Sequence, residues 1–138
     1  MRVYILRALV LSIAAIGAGC SGDINNIPTT PDPVTVTETF SGTITINGAA
    51  THNVFTSATG AVTATLTSLG ENAPSKIGFA MGTLAGSTCS LVLTNDNAVT
   101  TSVLLGTVST LGGSLCVRVY DVGALTEPVS YTMVVSHP

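Results

Sequence analysis

The chain has 138 residues with four Lys or Arg and seven Asp or Glu, so charged residues make up 8% of it, against about 25% in ordinary soluble domains. Arg2 and Arg7 sit at the extreme N-terminus and only Lys76 and Arg118 remain in the body; without a basic stripe to displace phosphate counterions, nucleic acid is excluded as a partner. A hydrophobic fraction of 46% argues against intrinsic disorder, and the length sets one domain with a real core.

The segment from Met1 to Gly19 has two arginines, an apolar run from Ala8 to Ile16 and the small residues Gly17, Ala18 and Gly19. Such a run is shorter than the roughly 20 residues of a membrane span, and its three-part build is that of a cleaved secretory signal helix. Gly17-Ala18-Gly19-Cys20 resembles a bacterial lipobox, which implies that Cys20 carries diacylglycerol and becomes the mature N-terminus; Gly17 departs from the usual aliphatic residue. The alternative is ordinary cleavage after Gly19, because Gly17 and Gly19 also form a small-x-small site. The two differ physically, since acyl chains anchor a protein that is otherwise free. Ser21 to Pro33, with three prolines and no hydrophobic periodicity, reads as a tether able to reach about 40 Å when nearly stretched.

From residue 34 onward, turn residues recur at short intervals and the pattern between them alternates. Phe40, Gly42, Ile44 and Ile46 share one face, with Ser41, Thr43 and Thr45 on the other. Asn47-Gly48 marks a tight reversal, 50–56 a second strand, and Gly60 opens a third with Val62, Ala64 and Leu66 facing inward. Further strands are expected over 76–84, 88–94, 99–108, 114–120 and 129–136. Threonine occurs 22 times, and its β-branched side chain suits half-wet strand positions. Eight short strands at regular spacing predict an all-β fold, an antiparallel two-sheet sandwich of jelly-roll type spanning 34–138, after a signal peptide at 1–19 and a lipidated tether at 20–33.

Five segments in fixed order resemble the bacterial pre-peptidase C-terminal domain: Phe40-Ser41-Gly42-Thr43-Ile44, His52-Asn53-Val54-Phe55, Val62-Thr63-Ala64-Thr65-Leu66, the run Gly113 to Asp121, and Tyr131-Thr132-Met133-Val134-Val135. The resemblance spans Phe40 to Val135 and implies a non-catalytic jelly-roll module appended to exported bacterial proteins. This chain departs from it in having no peptidase attached and in carrying two cysteines in the body.

Those cysteines, Cys89 and Cys116, are expected to form a disulfide if the protein is exported, with two buried thiols as the alternative. Because Leu115, Val117 and Val119 face inward, Cys116 is turned to the outer face, and Cys89 must meet it there or at a strand end.

Catalytic signatures are missing: the sequence holds no G-x-S-x-G, H-E-x-x-H or glycine-rich phosphate loop. His52 reads as an exposed strand residue and His137 as a mobile penultimate one, so no enzyme and no cofactor is expected. Asn95-Asp96-Asn97 offers hard oxygens and makes Asp96 a weak calcium candidate, well short of the roughly six to eight ligands required. Tyr120 and Tyr131 are weak ligand candidates if they share an outer surface, while Phe40, Phe55 and Phe79 are wanted for the core. The expected role is an interaction or structural module held at the membrane through lipid on Cys20, with an unidentified envelope protein or glycan as partner. Alternatives are a polysaccharide- or peptide-binding subunit, or an accessory module in envelope proteolysis.

Overall fold

The computed structural model describes residues 31–138, so the signal segment, Cys20 and most of the tether lie outside the described residues. Eight strands follow: β1 (Val36–Ile44), β2 (Ala49–Phe55), β3 (Gly60–Leu69), β4 (Ile77–Ala85), β5 (Thr88–Ala98), β6 (Val103–Val108), β7 (Ser114–Tyr120) and β8 (Val129–His137), with no helix among the described residues. They form two antiparallel sheets, ordered β1-β8-β3-β6 and β2-β7-β4-β5. Consecutive strands cross from one sheet to the other everywhere except at the β4–β5 hairpin, which is the strand order of a jelly roll.

Alternation explains the core. In β3 the inward Val62, Ala64 and Leu66 are fully buried, and in β7 and β8 the same holds for Val117, Val119, Met133 and Val135. Phe79 is the largest non-tyrosine side chain enclosed between the sheets. The outer face of the first sheet carries hydroxyls: Ser41 and Thr132 lie 3.1 Å apart across the β1–β8 pair, and Thr67 donates to the Thr132 carbonyl.

Three expectations are corrected. Ile46 does not continue the inward face of β1; it lies in the reversal and is 50% exposed. The reversal at Asn47-Gly48 does not close a hairpin, because β1 and β2 belong to different sheets and the chain crosses the sandwich there. Phe55 is 66% exposed, since inward Val54 leaves its neighbour on the opposite face.

Candidate functional site

The outer face of the second sheet departs from the Thr-dressed pattern. Along β7, the outward residues Cys116, Arg118 and Tyr120 pair in register with Gly82, Ala80 and Gly78 of β4. These three small residues are buried although they point away from the core: the Tyr120 ring of β7 covers Gly78, and the β5 backbone at Ser90 and Leu91 covers Gly82. A Cβ on Gly78 would run into the Tyr120 ring, with Cδ2 at 2.5 Å. Tyr120 crosses β4 and donates its hydroxyl to the Asp96 carboxylate on β5. Burial and the Asp96 carboxylate push the Tyr120 phenol up to about 12. The Arg118 guanidinium sits 5.9 Å from the Tyr120 ring, and its buried Nε has no hydrogen-bond partner among the described residues.

At the other end of this stripe Cys89 and Cys116 are bonded, with Cα atoms 5.8 Å apart. The bridge joins β5 to β7, two strands that are not sheet neighbours, and Cys116 is the in-register partner of Gly82. Cys89 therefore does meet Cys116 on the outer face. Asp96 is engaged with Tyr120, while the Asn95 side chain accepts the Asn97 N–H at 3.0 Å. Among the described residues no three His, Cys, Asp or Glu side chains converge as a metal-binding group.

Tyr131 does not share a surface with Tyr120. It is 2% exposed and points between the sheets, where its hydroxyl lies 2.6 Å from His52 Nε2. Phe40 covers the same imidazole with ring centroids 4.8 Å apart. His52 is thus not an exposed strand residue but a half-buried one that helps close the β1/β2 flank. His137 is likewise not mobile: it is 4% exposed, with Nε2 3.5 Å from Glu38.

Burial lowers the His52 pKa below 6.5. The unfolded chain keeps the ordinary value and takes up the proton first, so stability declines as pH falls below about 6.5 and levels off below the folded value. Thermal melts at about pH 8 and about pH 5.5 check this. The expected result is a lower Tm at the acid value and a smaller difference in His52→Gln; an undiminished difference in the variant assigns the effect elsewhere.

Asp121 works as a structural clasp. Its carboxylate accepts the N–H groups of Asn47, Gly123, Ala124 and Leu125 at 2.8 to 3.1 Å, pinning the β1–β2 crossing to the loop after β7. These bonds, that from Asn47 first, hold its pKa below 3.8.

The opposite flank, between edge strands β5 and β6, is open. Val62, Met81, Leu93, Leu105, Gly106 and Leu115 contribute to the lining of a groove of about 250 Å³. Among the described residues no charged side chain lines it, and its lining residues Val92 and Leu105 are 69% and 70% exposed. Sequence patterning marks Leu105 as a strand residue but not as part of a groove, because the groove lies between strands of the two sheets, where Gly106 faces the end of Met81. No protein-family model matches the chain, and no curated protein is similar to it.

Proposed function

We propose that this chain is an exported bacterial lipoprotein whose jelly roll serves as a non-catalytic interaction module at the cell envelope. The observation that carries the reading is the Cys89–Cys116 bond, since such bonds persist in oxidising compartments outside the cytoplasm. The basic, apolar and small-residue parts of the first 19 residues, followed by Cys20, support the same compartment. The strand order supports treating the sandwich as similar to a pre-peptidase C-terminal module. An apolar, uncharged flank favours protein or peptide contact over glycan, because Tyr120, the remaining candidate stacking ring, is already held by Asp96.

Labelling cells with a fatty-acid analogue tests the anchor. The native protein is expected to take up label and Cys20→Ala to take up none; an unlabelled native protein removes the lipid and leaves a freely exported domain.

A further inference from the structure

We propose that the β5/β6 flank receives an extended, uncharged peptide segment that adds as a strand to the free edge of β6 and inserts apolar side chains into the adjacent groove. The proposal rests on the interaction-module reading, but not on the lipid anchor.

The four sheet edges are not equivalent. β1 carries Glu38, and the β1/β2 flank is closed by the Phe40, His52 and Tyr131 rings. β5 is broken in two places: its register against β4 shifts between Leu91 and Leu93, leaving Val92 unpaired, and again between Asn95 and Ala98, where Asp96 stands. Bulges and inserted charges are devices that prevent edge pairing. β6 has neither. Its six residues pair with β3 without a register shift, it holds no charged residue or proline, and among the described residues its far side ends the sheet.

The groove supplies the second half of the site. A strand laid against β6 places alternate side chains between the sheets, beside Gly106, Met81 and Leu93. The volume of about 250 Å³ has room for a side chain or a pair of them and falls below the roughly 300–1,000 Å³ of pockets that enclose whole small ligands. The uncharged lining selects the occupant, because an ionised side chain entering this groove would lose water and gain no partner.

A second copy of the chain fits less well. A six-residue edge of about 20 Å by roughly 10 Å offers about 200 Å², short of the roughly 800 Å² per partner that a stable dimer buries. Enlarging the contact would require β5 to pair with its counterpart, and its bulges break that register. The second copy's inward residues Leu104 and Val108 are also committed to their own core.

The test uses the full chain carrying Cys20→Ala, which removes the anchoring thiol whichever way the N-terminus is processed. The probe is a capped eight-residue peptide of alternating valine and threonine, with aspartate replacing valine in the control, titrated while NMR shifts are followed. Amide shifts along Val103–Val108 and methyl shifts at Met81 and Leu93 are expected with the first peptide only. Gly106→Leu places its own side chain in the groove, where the added Cβ meets the flexible end of Met81 at 2.8 Å, and should weaken binding at least about tenfold. Leu105→Lys leaves the core intact and should do the same by charging the edge, whereas Val36→Lys on β1 should not.

Shifts centred on β1, β2 or β5 overturn the proposal, as does the absence of shifts. Methyl shifts without β6 amide shifts overturn it in favour of an isolated apolar ligand. A concentration-dependent dimer in sedimentation that the peptide dissociates overturns it in favour of a second copy. A chain that takes up fatty acid but fails to bind at β6 loses this proposal alone; one that binds but takes up no label loses only the anchor.

Discussion

Replacing both bridge cysteines, as Cys89→Ala/Cys116→Ala, is expected to lower stability by about 3.5 kcal/mol. That is the loop-closure value for a sequence separation of 27, and the domain has few alternatives to offset it. Its three phenylalanines include one that is mostly exposed, and there is no Trp. Urea unfolding checks the loss, with intact mass before and after reduction confirming that the native chain gains two hydrogens. A loss below about 1 kcal/mol would show that the unfolded chain is already compact around this region, and no mass change would remove the bond itself.

Gly82→Ala is expected to cost at least about 3 kcal/mol, the upper end of overpacking effects. A Cβ there would collide with the Ser90 carbonyl oxygen and stand 2.7 Å from its carbon and 2.8 Å from the Leu91 Cα. All three are backbone atoms, so no rotamer change relieves the clash; β5 must move away from β4. The bridge opposes that movement by tying Cys89 to β7. The two perturbations should therefore couple: Gly82→Ala should cost less in the bridge-free background by about 0.5 kcal/mol or more. Strict additivity in a double-mutant cycle would mean that β5 yields without straining the bridge. Gly86, also a β4/β5 glycine but with open space around its Cβ direction and a φ of 62°, provides a contrast in which any penalty comes from backbone conformation alone.

The sheets were legible because period-two alternation and turn residues are local signals. Val62, Ala64 and Leu66 occupy the buried side of β3 as the pattern requires, and Cys116 takes the outer face because its inward neighbours fix the direction. The stripe over β4 was not legible, because it depends on which strand lies beside which. Gly78, Ala80 and Gly82 at successive outward positions were a usable clue: small residues on one face let a neighbour close over it, as the Tyr120 ring does at Gly78 and the β5 backbone at Gly82. Nothing local announced that the neighbour would be β7, or that Tyr120 would reach Asp96 beyond it. His52 was misplaced for a similar reason. The alternation that buries Val54 also turns His52 inward, but its partner Tyr131 comes from the opposite sheet and is 79 residues away. The groove depends on which strands of the two sheets face each other at the β5/β6 flank, and the bulges that separate β5 from β6 in character arise from pairing rather than composition.

The placement of β8 has a consequence for how the chain acquires its structure. β8 lies between β1 and β3, pairing with the first from Val36↔His137 to Ile44↔Val129. Sheet β1-β8-β3-β6 therefore cannot assemble while β8 is still unsynthesised: β1 has no other partner in it. Since only the β4–β5 hairpin is local, most contacts must wait for large loops to close, which places folding among the slow, high-contact-order β proteins at milliseconds to seconds. Completion of the sandwich therefore waits on β8, although every strand of β2-β7-β4-β5 precedes it in the chain.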